Sequence, residues 1–146
     1  MLFVYGTLQD ADVLGAVLGR PVVMSGLRPA VAPGYRAVAY PGRVYPALVE
    51  APNHAAPGLL IEQLSTLDMA VLDAFEGVEY RRQTIAVLAG PVQHRAEAYL
   101  PVIEIAATTA DWSLAAWTAT HKQNVLGQET GTAAALRERL SAQAPE

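Results

Sequence analysis

Seven of the ten prolines in this chain lie between Pro21 and Pro57. Proline has no backbone N–H and clashes with the preceding helical turn, at a cost of about 3 kcal/mol in a helix interior. At that density no helix fits between them. What remains is a set of short β-prone pieces separated by turns: roughly Val22–Leu27, Tyr35–Ala39, Ala47–Glu50 and Gly58–Glu62. The other elements are arranged around this region. Residues 1–5 read as a strand, and Asp10 to Leu18 as a short helix with Val13, Leu14, Val17 and Leu18 at helical spacing, ended by Pro21. Ser65-Thr66-Leu67-Asp68 reads as a helix start with a capping box. Leu67, Val71, Leu72 and Phe75 give that helix an apolar stripe, and Gly77 stops it. Gln83–Leu88 and Arg95–Leu100 form a hairpin around Ala89-Gly90-Pro91. From Asp111 the chain turns helical, with Trp112, Ala116, Ala119 and Thr120 on one face, and Thr130–Ala142 is a last helix.

Strands outnumber helices, and few connections between strands are helical. That pattern predicts an α+β domain: a small mixed β-barrel or strongly curved sheet with flanking helices, not a doubly wound sheet. Residues 1–146 form one domain, with a core over 1–100 and a helical C-terminal segment over 110–142. There is no Cys, which excludes disulfides, thiolate zinc sites and a Cys nucleophile. The net charge is −4 and the basic residues are scattered, so there is no stripe for nucleic acid. No apolar run approaches the ~18 residues of a membrane span, and no signal-peptide pattern opens the chain. The expectation is a cytoplasmic protein, monomer or homodimer. Nine Arg against one Lys, with abundant Ala, reads as a GC-rich bacterial genome.

Two segments carry chemistry. Tyr5-Gly6-Thr7-Leu8 ends a strand and feeds a helix-like segment, a place where unpaired backbone N–H groups form an anion-binding nest. A plain strand-to-helix turn is the other reading of the same residues. Glu76 falls in the last turn of its helix, where the dipole disfavours a negative charge, and beside Phe75 of the apolar stripe. Both effects raise a carboxylate pKa towards what a general base needs. A Glu76 that faces water or pairs with Arg81 or Arg82 is equally consistent with the sequence. Asp73 and Glu79 are neighbours able to do similar work, with Asp73 placed on the solvent side. His54, His94 and His121 have no metal-ligand spacing, and no Ser lies in a GxSxG elbow. Tyr35, Tyr40, Tyr45 and Tyr99 are candidates to line a pocket, or simply pack with one wet end.

Taken together and in order, these segments resemble the gamma-glutamyl cyclotransferase-like proteins, including the gamma-glutamylamine cyclotransferase and avirulence-induced-gene-like branches. The resemblance runs through Phe3-Val4-Tyr5-Gly6-Thr7-Leu8, Tyr45-Pro46-Ala47-Leu48 and Pro57-Gly58-Leu59-Leu60. It continues through Leu72-Asp73-Ala74-Phe75-Glu76-Gly77 with Tyr80-Arg81, and ends at Ala98-Tyr99-Leu100. It implies a mixed β-barrel with a pocket where Tyr5, Gly6, Thr7 and Leu8 hold the alpha-carboxylate end of a gamma-glutamyl group. Tyr45, Tyr80 and Tyr99 of the matched motifs are implied as substrate-binding residues, and Glu76 as the catalytic glutamate. The implied reaction uses no cofactor and no metal. Glu76 takes a proton from the alpha-ammonium, the amine attacks its own gamma-carbonyl, and 5-oxoproline and a free amine result. Two further classes compete: a non-catalytic module that binds a small carboxylate metabolite in the same pocket, and a related acyl-removal enzyme of a biosynthetic pathway.

Overall fold

The computed structural model describes residues 1–23, 27–106 and 108–143, with the backbone alone at 128–130 and 143. Among the described residues the strands are β1 (Leu2–Val4), β2 (Arg28–Ala39), β3 (Pro46–Ile61), β4 (Tyr80–Ala89) and β5 (Val92–Pro101). They close into a barrel in the order β1-β3-β2-β4-β5. Neighbours are antiparallel except β1 and β5, which run parallel with Leu2 opposite Glu97. The barrel is therefore mixed, and β1 is paired on both sides, with Leu2, Phe3 and Val4 opposite Ile61, Leu60 and Leu59. The helices are α1 (Ala11–Leu18), α2 (Thr66–Glu76), α3 (Leu114–Thr120) and α4 (Lys122–Gln143).

Strand alternation divides the core into two parts. Along β1, Phe3 points inward with Tyr5, while Leu2 and Val4 point out against the helices. The barrel interior sets Phe3, Tyr5, Leu60 and Ile85 against a bed of small residues, Ala30, Ala32, Ala56, Ala96 and Ala98. Small opposite large is how a narrow barrel fills itself without a hole. Outside, Val13, Leu14 and Val17 of α1 meet Val71 and Leu72 of α2. α4 packs across both helices. Gly58 shows how closely β1 and β3 approach: a Cβ there would lie 2.3 Å from the Val4 carbonyl oxygen and 2.7 Å from Phe3 Cζ.

The helix ends follow local chemistry. Asp10 caps α1 by accepting from Asp12 N and Val13 N, and Gly19 closes that helix at φ 74°. Ser65 and Asp68 form the expected reciprocal capping box on α2. Asp68 is also gripped by Arg20, with Nη1 and Nη2 at 2.9 and 2.8 Å from its two oxygens. This fork, together with the cap, holds the Asp68 carboxyl down at about 2.

Four expectations are corrected. The short pieces Tyr35–Ala39, Ala47–Glu50 and Gly58–Glu62 belong to two long strands, β2 and β3, that pair along nearly their whole length. Prolines 29 and 33 are tolerated because β2 meets β4 in register only at Val31 and Leu88, which leaves much of that edge without a ladder to break. The pairing slips once, between Pro33 and Tyr35, where Gly34 has φ 81°. The expected strand over 22–27 is absent at Val22, Val23 and Leu27, while positions 24–26 lie outside the described residues. On α3 the buried face is Trp117, 2% exposed, and Ala116, Ala119 and Thr120 are exposed. The last helix begins at Lys122, earlier than expected, and runs through Gly127 and Gly131.

Candidate active site

Strand β1 ends at Val4, and the chain bends through Tyr5 and Gly6 into a single 3-10 turn, Thr7–Gln9. The turn is closed by Gln9 N on the Gly6 carbonyl and Asp10 N on the Thr7 carbonyl, both 3.0 Å. The N–H groups of Thr7 and Leu8 precede the first bond of the turn, so the turn itself does not use them. Gly6 is dictated by a neighbour: a Cβ there would lie 2.8 Å from Pro46 Cγ. The loop thus passes flush against the start of β3.

This loop forms one wall of a cavity of about 300 Å³, at the lower end of small-molecule sites. Tyr5, Gly6, Thr7 and Leu8 line one side, and Glu76 with Phe75, from the end of α2, lines another. Tyr45, Tyr80 and Tyr99 complete the wall, with Pro46, Glu79 and Thr132 of α4. Every residue expected at the site therefore faces a single cavity. The two segments that suggested chemistry, about seventy positions apart, meet there. Of the other tyrosines, Tyr40 stands behind the wall, with its ring centroid 5.9 Å from Tyr45 and 5.6 Å from Tyr80. Tyr35 packs with the barrel interior and does not line this cavity.

The phenols of the wall are tied to the protein. Tyr5, 6% exposed, donates its hydroxyl proton to the Tyr99 main-chain carbonyl across the barrel. Tyr80 donates to the Pro46 carbonyl at 2.5 Å, and Tyr99 to Asp73 Oδ1 at 2.7 Å. Burial, above all, pushes all three pKa values up, and the Glu76 charge nearby pushes them in the same direction. Glu76 thus sits among neutral hydroxyls. Tyr45, raised to about 12 first by burial and then by Glu79, donates to Glu79 Oε1. Arg43 Nε reaches the Tyr45 hydroxyl at 2.9 Å and Glu79 Oε2 at 3.2 Å. Asp73 lies at the exposed edge, as expected, and Arg82 stands between Asp73 and Glu97 at 3.5 and 3.6 Å. Gly77, at φ 68° and ψ −152°, ends α2 between the two cavity glutamates.

Sequence reasoning missed Pro46, Thr132 and the Arg43–Tyr45–Glu79 cluster. Pro46 adjoins Tyr45 in a matched motif, so the signal was present. Arg43 and Glu79 are 36 positions apart and come together only through the fold. No group of three or more potential metal ligands occurs among the described residues, and no described helix is long and apolar enough to cross a membrane.

The chain shares this architecture with known proteins. The solution structure of one Arabidopsis thaliana protein superposes with a TM-score of 0.65 at 25% identity, covering 87% of this chain and 85% of that one. A second, from the same organism, gives 0.66 at 25% identity and covers 87% and 77%. By sequence, AIG2-like protein A of Arabidopsis thaliana is 34% identical over 88 residues, 60% of this chain and 51% of the relative. AIG2-like protein D is 36% identical over 88 residues, 60% and 55%. The matched stretches thus span about half the length of these curated relatives. The profile of one family, gamma-glutamyl cyclotransferase, AIG2-like, extends over residues 2–118, from β1 to the end of α3's buried face, and so takes in the loop, Glu76 and the three tyrosines. The chain belongs to that family.

Proposed function

We propose that the protein converts a gamma-glutamyl amine or peptide into 5-oxoproline and a free amine. The observation that carries this reading is the convergence of Glu76 and the Tyr5–Leu8 loop on one small cavity. The loop supplies main-chain donors for the substrate's alpha-carboxylate. Glu76 takes a proton from the alpha-ammonium. The freed nitrogen attacks the gamma-carbonyl carbon, and a tetrahedral centre forms. As it collapses, the bond to the leaving nitrogen breaks and Glu76 hands that nitrogen its proton; the second proton of the attacking nitrogen, made acidic by bond formation, follows by way of Glu76, so the ring nitrogen keeps one hydrogen and the amine departs as an ammonium. Atoms balance with no water, cofactor or second substrate. Because nucleophile and electrophile belong to one molecule, holding the substrate in a folded conformation supplies much of the acceleration. Tyr5, Tyr80 and Tyr99 suit that task, since their hydroxyls are bonded to the protein and their rings are held in place.

A module that only bound a carboxylate metabolite would need the loop but would give Glu76 no task. The test is incubation with a panel of gamma-glutamyl dipeptides and gamma-glutamyl amines, followed by assay for 5-oxoproline. Formation with at least one member is the expected result. Calorimetric binding of panel members without any 5-oxoproline would replace the enzyme with the module.

A further inference from the structure

One wall of the cavity comes from beyond the stretch that the family profile spans. That stretch ends at residue 118, and α4 begins at Lys122. Yet Thr132 of α4 lines the same cavity as Glu76 and the Tyr5–Leu8 loop. Thr132 is itself exposed, while Ala133 beside it is fully buried and packs in the core with Leu8, Val13 and Leu72. A helix turns by about 100° per residue. With Ala133 facing the core, Thr132 stands at the edge of the buried face, where the cavity meets solvent.

The position of α4 is fixed on either side of Thr132. At the start of the helix, Lys122 Nζ lies 2.9 Å from Asp10 Oδ2 and 2.8 Å from Asp12 Oδ2. Asp10 caps α1 and also closes the Thr7–Gln9 turn through its N–H on the Thr7 carbonyl. The first residue of α4 is thus bonded to the last residue of the cavity loop. Further along, Arg137 Nη2 donates to the Ala16 carbonyl at 2.9 Å and to the Val17 carbonyl. Both belong to the last turn of α1, whose carbonyls have no partner within the helix. Arg137 reaches them because Gly19 has no side chain; a Cβ there would collide with the guanidinium. Thr132 lies between these anchors, on a helix that the core and two sets of charged contacts hold against the rest of the site.

We infer that α4 is part of the substrate site and that Thr132 contacts the bound gamma-glutamyl compound. The inference rests on the cyclotransferase reading for the identity of the compound, not for the place of the contact.

The chain has no Cys, so Thr132→Cys, which nearly preserves side-chain size, puts a single thiol at the point of contact. Ala134→Cys is the control: it is exposed, outside the cavity lining, and about 200° further round the helix. Each protein is compared with itself before and after reaction with N-ethylmaleimide, by 5-oxoproline formation from the gamma-glutamyl panel. The adduct takes up room in a cavity of only about 300 Å³, so labelled Thr132→Cys should lose about tenfold or more in kcat/KM. Labelled Ala134→Cys should keep its rate. A labelled Thr132→Cys protein within about twofold of its unlabelled rate would overturn the inference and leave the cyclotransferase reading standing. The second readout needs no turnover and no adduct in the cavity: the rate at which the Thr132→Cys thiol reacts, with and without saturating gamma-glutamyl-alanine or gamma-glutamyl-ethylamine. Slower reaction in the presence of either compound is expected. Slowing without 5-oxoproline from any compound keeps Thr132 at the site and discards the cyclotransferase reading. Equal reaction rates with and without both compounds refute the contact.

Discussion

Gly58→Ala links the fold of the barrel to the position of its site. The added Cβ would lie 2.3 Å from the Val4 carbonyl oxygen and 2.7 and 2.8 Å from two atoms of the Phe3 ring. Ordinary contact starts near 3.4 Å, so β1 and β3 must separate by about 1 Å or the Phe3 ring must leave its place. Neither move is cheap. Phe3 fills the barrel interior at 1% exposure, and Val4 is held in register with Leu59. Overpacking a core costs about 1–3 kcal/mol, and a clash with backbone belongs at the upper end, about 3 kcal/mol. With a urea m-value of about 2 kcal/mol/M, the midpoint should drop by about 1.5 M. The displaced strand runs directly into the Tyr5–Leu8 loop, so ligand affinity should weaken as well. Gly127→Ala is the control. Nothing lies within 4 Å of its Cβ position, and it sits inside α4, so it should gain about 0.5–1 kcal/mol. A Gly58→Ala protein within about 0.5 kcal/mol of the wild type would refute the reasoning, because β1 and β3 would then have slack that the distances deny.

Glu76→Gln should fold normally and lose about 10²–10⁴-fold in cyclisation, because the amide cannot take the ammonium proton; 5-oxoproline release at near wild-type rate would remove Glu76 from the mechanism. Asp73→Asn, at the exposed edge and engaged with Tyr99 and Arg82, should lose far less in the same assay. The Asp68 carboxyl, lowered from 3.8 to about 2, stabilises the fold fully above its unfolded value and loses that contribution as pH falls towards 2. A shift of that size corresponds to about 2 kcal/mol, and screening at half-exposed Arg20 brings it to about 1–2 kcal/mol. Acid titration followed by circular dichroism should therefore show a shallower loss of stability between pH 4 and 2 in Asp68→Asn than in the wild type. Equal slopes would show that the fork contributes nothing.

The parts of the fold legible in the sequence are those with local causes. Ser65 and Asp68 announce α2, and Gly77 ends it, because capping and left-handed stops act over four residues. The turn at Gly90-Pro91 is legible for the same reason. The barrel expected from the strand pattern is the one found, but the pairing that closes it, Leu2 with Glu97, is parallel and has no turn to signal it. The prolines misled in an instructive way. They exclude helix over the region, as argued, but they do not cut a strand whose outer edge has little ladder to lose. The expected face of α3 begins at Trp112, yet the helix is capped by Ser113 and starts at Leu114. Trp112 lies outside it, and the face that matters is set by Trp117.

At the site, the loop and Glu76 could be recognised because each sits in a run of residues with a recognisable order. The different surroundings of the two cavity glutamates could not. Continued helix would place residues 76 and 79 about 5–6 Å apart on one face, where like charges destabilise each other. Gly77 prevents this. Its φ of 68° with ψ of −152° belongs to a region that residues other than glycine scarcely enter. The chain breaks there into a 3-10 turn, Gly77–Glu79, and then into β4. Glu76 remains with the end of α2, close enough for its charge to raise the buried phenols of Tyr5, Tyr80 and Tyr99. Glu79 turns to Tyr45 and Arg43, which occupy its oxygens. One backbone conformation thus gives two identical side chains, three positions apart, different neighbours. That separation leaves one carboxylate on the cavity wall among buried phenols and holds the other in hydrogen bonds to Tyr45 and Arg43.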